Sequence, residues 1–149
     1  MRHTRKSKAE TMIVNPKQQR TERQRFEVML DALWREYIRR RAIRGAKGCQ
    51  YKLKCNIPVR SYLGLEAAHL HGRGRRTVRW DPRNGVGVCH YCHRYLDTHP
   101  KEKHRFFKEL LGEKEYWRLF QLANMTTKSA PVDYEKIEAN LRERLLNEG

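Results

Sequence analysis

The sequence predicts a small α+β fold, in which a cysteine-containing unit of short strands is flanked by helices on both sides. Apolar side chains recur at helical spacing near the N-terminus and again in the last third of the chain. Between them, residues 49–100 contain all four cysteines and most of the histidines, with glycines and prolines typical of short strands and turns. A chain of 149 residues is long enough for one domain with a modest core.

The N-terminal part is predicted to be a polar arm followed by an amphipathic helix. Residues 1–18 are basic and polar, and we interpret them as a mobile arm. From Gln19 to Arg44 the apolar residues return every three or four positions, with arginines on the opposite face. The residues that set this period are Phe26, Leu30, Leu33 and Tyr37. The pattern predicts a helix that ends near Gly45 and Gly48 and buries its apolar stripe in the core.

The central region is predicted to be a hairpin followed by a short helix. Leu63–His71 has the composition of one strand, and Gly85–Val88 fits a second. Residues 72–76 form a glycine-rich basic turn between them. A short helix is expected from Cys92 to about Thr98.

The C-terminal part is predicted to be helical, with breaks at Gly112 and at the Thr126–Pro131 linker. Asp133 is a candidate cap for a last helix, whose apolar face carries Ile137, Leu141 and Leu145 at a spacing of four. The expected domain organisation is a basic arm, a main domain, and a linker with a C-terminal helix. Their boundaries are residues 1–18, 19–125 and 126–149.

The charge of the chain indicates a polyanionic partner. Lys and Arg outnumber Asp and Glu by 33 to 17, which gives a net charge of +16. Because such an excess repels itself in a free monomer, we expect a nucleic acid to bind it. A ribosomal or other architectural basic protein is the alternative. No apolar run approaches the roughly 20 residues that span a bilayer, and the N-terminus lacks the apolar segment of a signal peptide, so we expect a cytoplasmic protein without a membrane partner.

The four cysteines predict a structural zinc site. Cys89 and Cys92 enclose two residues, which is the spacing of a zinc knuckle. Cys49 and Cys55 supply the other two thiolates, with a wider separation that requires the first knuckle to bulge. In a reducing compartment four cysteines favour a metal over disulfides. Four unrelated thiols are the alternative, and a histidine could replace one cysteine. The candidate histidines are His90, His93 and His99.

A more specific pattern lies around the cysteine pair. Three stretches carry it: Ala-His-Leu-His-Gly-Arg-Gly at 68–74, Arg-Trp-Asp-Pro-Arg-Asn at 79–84, and Cys-His-Tyr-Cys-His-Arg at 89–94. The order His69, Asn84, His93 resembles the HNH motif of ββα-metal (His-Me finger) endonucleases, and most closely that of phage HNH proteins of the NinG recombination type. The resemblance covers Trp34 to Pro100, and more loosely the helices beyond.

The resemblance implies a catalytic role for each motif residue. His69, at the end of the first strand, matches the general base, and histidine suits that role because its pKa lies near 6.5. Asn84 matches the residue that ties the loop to the hairpin and orients His69. His93 matches a ligand of a catalytic Mg²⁺ or Mn²⁺, which would neutralise charge on the phosphate.

The sequence departs from the family at Ala68, where many HNH enzymes place a second metal ligand. Some relatives use one protein ligand, with water and DNA phosphate completing the shell. Asp97 shares a helix face with His93 at i+4 and is our expected second ligand. Glu66 lies on the Ala68 side of the strand and is a less favoured alternative.

Several residues near the motif are candidates for DNA contact, because arginine forks bind phosphate and glycine lets the backbone approach it. They are His71, Arg73, Arg75, Arg76 and Arg79. His71 is also an alternative base, whereas Arg79 and Trp80 could instead buttress the hairpin. His99 and His104 are expected at the surface.

The sequence therefore predicts a metal-dependent HNH endonuclease acting on DNA, in phage recombination or DNA processing, with duplex or branched substrates both open. The first alternative is a catalytically inactive, zinc-containing DNA-binding protein of the same fold. The second is a chromatin-like or RNA-binding protein. The oligomeric state is open, and a homodimer is compatible with the C-terminal helices.

Overall fold

The structure is a computed structural model that describes residues 20–52, 55, 59 and 61–148. The arm predicted over residues 1–18 lies outside this described part. Five α-helices and two β-strands are present within it. In chain order they are α1 (Glu22–Ala46), β1 (Glu66–His69), β2 (Gly85–Val88), α2 (His90–Thr98), α3 (Pro100–Leu111), α4 (Glu113–Ala123) and α5 (Tyr134–Glu148). The α+β class predicted from the sequence is confirmed.

Helix α1 is the longest element, and its ends follow from local chemistry. At the start, Thr21 and Gln24 form a capping box, each side chain bonding the other's backbone amide. At the end, Lys47 takes a left-handed conformation as the C-cap, and Gly48 follows with φ of 147°. The apolar stripe faces the core as predicted: Leu30 and Tyr37 are buried, whereas Phe26 and Leu33 are partly buried at its edge.

Strands β1 and β2 pair antiparallel, with Glu66 opposite Val88 and His69 opposite Gly85. Strand β2 has the predicted bounds. The strand predicted over 63–71 is wrong at both ends, because only four residues pair. Before them, Tyr62–Gly64 forms a 3-10 turn capped by the Ser61 hydroxyl. After them pairing stops, because the partner strand is preceded by a second 3-10 turn at Pro82–Asn84.

The hairpin lies between α1 and the helices that follow it. Gly85 and Gly87 face α1 closely: a Cβ on Gly85 would overlap the Trp34 ring, and one on Gly87 would lie 2.5 Å from the Ala42 Cβ. The alternate residues Val86 and Val88 are fully buried in the cluster that contains α2, α3 and α4 side chains. The two faces of the hairpin therefore have different partners.

The C-terminal helices follow the predicted breaks. Helix α2 begins at His90, two residues earlier than expected, and α3 starts at Pro100 directly after it. Gly112, with φ of 81°, separates α3 from α4. The Asp133 carboxylate caps α5 by accepting from the Lys136 amide at 3.0 Å, as predicted. The apolar face of α5 packs on α1, where Leu141 is buried. None of the described helices is long and apolar enough to cross a membrane.

Candidate metal centre and histidine site

The four cysteines converge on one point of the fold. The Sγ atoms of Cys49, Cys55, Cys89 and Cys92 all lie within 4.8 Å of one another, and those of Cys55 and Cys92 are 3.6 Å apart. Four ligands arranged tetrahedrally at the zinc–sulfur distance of about 2.3 Å lie about 3.8 Å from each other. The cluster can therefore hold a metal ion such as zinc, which confirms the predicted convergence of the four thiols.

Local backbone geometry places each half of this cluster. The left-handed turn after α1 leads directly to Cys49, and Gln50 then bonds β2 twice, through its amide to the Gly87 carbonyl and through its side chain to the Gly87 amide. Cys89 is the N-cap of α2, and its sulfur accepts from the Cys92 amide. A metal bound here would tie the end of α1 to the start of α2.

Burial affects the protonation of these thiols. It raises the pKa of Cys55 to about 11 and also raises the pKa of Cys92. Without a cation these two sulfurs keep their protons at neutral pH. A zinc ion would displace these protons, because the metal binds the thiolate form of cysteine.

His93 lies at the centre of a second polar group, which joins α2 to β1. Its Nδ1 is 2.8 Å from the Glu66 Oε1, and its Nε2 is 3.3 Å from the Asp97 Oδ2. The other Glu66 oxygen lies 2.9 Å from the Nδ1 of His90. Lys103 is paired with the remaining Asp97 oxygen. His93, Asp97 and Glu66, which the sequence proposed separately as metal ligands, are thus brought together.

His69 points to the opposite face of the hairpin, toward α1. Its ring stacks on Trp34 with centroids 4.0 Å apart and an interplanar angle of 12°. Its Nε2 lies 3.3 Å from the Arg79 carbonyl oxygen. Burial lowers the pKa of His69 to about 4, so the ring is neutral at pH 7. The next residue back, Ala68, faces α2 and is fully buried.

Asn84 holds the segment that follows β1. Its Oδ1 accepts from the His71 amide, its Nδ2 donates to the His71 carbonyl, and its own carbonyl accepts from the Leu70 amide. The asparagine therefore fixes the backbone of Leu70 and His71, just beyond His69.

His71 and His104 are adjacent, with ring centroids 5.9 Å apart. Burial lowers the pKa of His71 to about 4, and the positive charges nearby act in the same direction. His104 is only partly exposed and bonds the Tyr116 hydroxyl at 2.7 Å, so its predicted surface position is wrong. The helical packing of α3 on α4 encloses it. His99 is exposed, as expected.

The arginines proposed for DNA contact separate into two groups. Arg73 and Arg75 are exposed in the turn between the strands. Arg76 is partly buried and pairs with Glu27 at 3.2 Å. Arg79 turns inward, where its side chain is 13% exposed and bonds Asp31 through two nitrogens at 3.1 and 2.7 Å. Arg79 therefore pairs with Asp31 within the fold, which fits the alternative role of supporting the hairpin.

Two acidic residues of α1 were not identified from the sequence. Asp31 binds both Arg79 and the indole of Trp80, and Glu27 is 5% exposed beneath Arg76. For Glu27 a signal was present, because this residue occupies the apolar stripe of α1 at helical spacing from Leu30 and Trp34. A charged residue on a buried stripe indicates a buried ionic partner.

No protein-family model, curated protein or solved structure matches this chain.

Proposed function

We propose that this chain is a metal-dependent endonuclease of the HNH type, which hydrolyses DNA phosphodiester bonds. The observation that carries the proposal is the hairpin–helix unit formed by β1, β2 and α2. It places His69 at the end of β1, clamps the following segment with Asn84, and presents His93 from the first turn of α2 toward the same strand.

The surroundings of His69 hold its ring neutral and in one orientation, while the lowered pKa of about 4 makes it a weaker base than an ordinary histidine. The Arg79 carbonyl can only accept a hydrogen bond, so Nε2 carries the ring proton and Nδ1 keeps its lone pair. Stacking on Trp34 fixes the plane of the ring. A neutral, oriented imidazole of this kind can take a proton from an attacking water.

The group around His93 suits a hard divalent cation. Its carboxylate oxygens are the ligands that Mg²⁺ and Mn²⁺ prefer, and its imidazole nitrogen is a ligand typical of first-row transition metals, whereas the sulfur cluster suits zinc. Such an ion, when bound, would stabilise the charge that develops on the phosphate. The chain's own contribution is to hold His93 in one orientation between two carboxylates.

The charge of the protein favours DNA as its partner. The net charge is +16, and the exposed Arg73 and Arg75 lie in the turn directly after the strand that ends in His69. The resemblance to phage recombination proteins makes branched DNA the first substrate to compare with plain duplex.

A zinc-containing DNA-binding protein without catalysis is the second candidate function. Ala68 favours it, because a buried methyl group occupies the position at which the family resemblance implies a metal ligand. The basic surface and the cysteine cluster would serve DNA binding equally well without hydrolysis.

Nicking of supercoiled plasmid, with added Mg²⁺ or Mn²⁺ and with chelator, separates the two functions. We expect metal-dependent nicking, and a His69→Gln variant should lose about 10²–10⁴-fold in single-turnover rate with little change in DNA affinity. His99→Gln is the matched control, since His99 is exposed at the end of α2. If the wild-type protein nicks none of duplex, junction or single-stranded DNA, with or without added metal, the result supports the binding protein instead.

A further inference from the structure

We infer that Glu66, through Oε1, and His93, through Nδ1, are the two protein ligands of the divalent cation, and that Glu66 supplies the carboxylate that Ala68 lacks. The inference rests on the proposed function for the role of the ion. The site itself is argued from the contacts of four side chains on β1 and α2.

The geometry of the pair fits two neighbouring ligands of one ion. The Glu66 Oε1 and the His93 Nδ1 are 2.8 Å apart. Adjacent ligands of an octahedral ion at about 2.1 Å lie about 3 Å from each other. Glu66 also lies on the same face of β1 as Ala68, because side chains two residues apart in a strand share a face. The longer glutamate side chain thus reaches toward α2 from a position two residues before Ala68 on the strand.

Each of the two ligands is held by a further residue at its far atom. His90 contacts the Glu66 Oε2 at 2.9 Å, and Asp97 contacts the His93 Nε2 at 3.3 Å. Residues that bind the second ring nitrogen of a ligating histidine fix its tautomer and orientation. With Asp97 accepting at Nε2, the ring can keep a proton on that nitrogen, and a cation bound between Nδ1 and Glu66 would displace the Nδ1 hydrogen that now bonds the carboxylate.

Asp97 is therefore a positioning residue, and its predicted role as a ligand is replaced. Asp97 faces the Nε2 of His93, whereas Glu66 faces Nδ1. An ion bound at Nδ1 can therefore be reached by Glu66 but not by Asp97. Asp97 is also paired with Lys103 at 3.1 Å, and that cation would oppose a second positive charge beside it. Among the described residues, the only groups able to bring a positive charge to the Glu66 carboxylate are the rings of His90 and His93, when these are protonated.

The exposure of the pair leaves room for the remaining ligands. The side chain of Glu66 is 40% exposed and that of His93 is 27% exposed. Water and a phosphate oxygen can reach an ion held there, as a site with two protein ligands requires.

The test is direct binding of Mn²⁺ to the zinc-supplemented full chain, by electron paramagnetic resonance of the free ion, with DNA cleavage measured in parallel. Glu66→Gln keeps the size and removes the charge, and we expect Mn²⁺ affinity to fall more than about 100-fold, beyond the 10–100-fold typical of an orienting residue. Asp97→Asn keeps an acceptor for Nε2, so its Mn²⁺ affinity should fall by less than about 10-fold, the lower end of the range for a lost orienting residue. Glu102→Gln, on α3, controls for loss of a carboxylate elsewhere.

The results separate the site from the function. Mn²⁺ binding that depends on Glu66, in a protein that cleaves no DNA, supports the site and refutes the proposed nuclease. Wild-type affinity in Glu66→Gln, a loss of more than about 100-fold in Asp97→Asn, or no binding by the wild-type protein at millimolar Mn²⁺ would each overturn the site. Circular dichroism of every variant identifies a change that comes from misfolding. Should Glu66→Gln misfold, paramagnetic broadening of the His93 ring resonances by Mn²⁺ in the wild-type protein decides instead, and its absence overturns the site.

Discussion

Asn84 binds the backbone of His71 at both its amide and its carbonyl, at 2.8 and 2.9 Å, although the two residues are separated by the whole turn between the strands. Asn84 has no exposed surface. We predict that Asn84→Ala will destabilise the protein, because each polar group left unpaired in a buried position costs about 1–3 kcal/mol. Thermal unfolding measures the loss. Asn124→Ala, which removes an exposed asparagine, should have little effect.

A second measurement on the same variant addresses function. If Asn84 also fixes the position of His69, cleavage by Asn84→Ala should fall more than its affinity for DNA does, at a temperature where the variant is folded. Equal losses in both quantities would mean that the clamp serves stability alone.

Removal of the metal from the cysteine cluster should unfold part of the protein. We expect one zinc ion per chain by elemental analysis, and a large drop in melting temperature after treatment with a strong chelator, because structural zinc contributes directly to folding. Cys89→Ser should behave like the chelated protein. Adding zinc back should restore the wild-type protein but not the variant. A chelated protein with an unchanged melting temperature would contradict a structural metal.

The exposed and the buried arginines should respond differently to substitution. Arg73→Ala and Arg75→Ala should weaken DNA binding and each reduce the slope of log affinity against log salt by about 1, with stability unchanged. Arg79→Ala should instead destabilise the fold by about 3–5 kcal/mol, because it leaves Asp31 partly buried without its cation. Fluorescence anisotropy across a salt titration and thermal unfolding give the two quantities. A stable Arg79→Ala protein with reduced DNA affinity would return Arg79 to the binding surface.

Acid should destabilise the protein through two histidines. Burial lowers the pKa of His69 and of His71 to about 4, below the value near 6.5 expected in the unfolded chain. The unfolded state therefore binds protons first, so their stabilising contribution is complete above about pH 6.5 and is lost as the pH falls toward 4.

The measurement is the melting temperature at pH 7.5 and at pH 5.5, where a loss of 1 kcal/mol corresponds to about 2–4 °C for a chain of this size. A double His69→Gln, His71→Gln variant should show a smaller difference between the two pH values. The comparison cancels the loss of metal in acid, which both proteins share. Equal differences would show that these two histidines do not set the acid sensitivity.

The contact between α1 and β2 should not tolerate a side chain at Gly87. A Cβ there would lie 2.5 Å from the Cβ of Ala42 and 3.2 Å from the carbonyl oxygen of Ile38. We predict that Gly87→Ala costs about 1–3 kcal/mol, as overpacking of a buried contact does. Gly72→Ala, where no atom lies within 4 Å of the new Cβ, is the matched control. Equal stability of the two variants would mean that α1 can move away from the hairpin.

The sequence by itself determined the features that depend on local pattern. The helical periods predicted α1 and α5, since apolar spacing fixes which face of a helix is buried. The cysteine spacing predicted that four thiols converge, because a knuckle needs only a tight turn to aim two sulfurs at one ion. The break at Gly112 and the cap at Asp133 followed from the backbone preferences of single residues.

Only the tertiary structure decided the partners of charged side chains. Arg73 and Arg79 look alike in the sequence, yet one lies at the surface and the other pairs with Asp31, which is 48 residues away along the chain. In the same way, Asp97 was proposed from helical spacing to His93 and Glu66 from its side of β1, and only the orientation of the imidazole ring assigned each to a different nitrogen. The physical reason is that a charge is stabilised by whatever lies within a few ångströms of it, and that distance is set by how the elements pack.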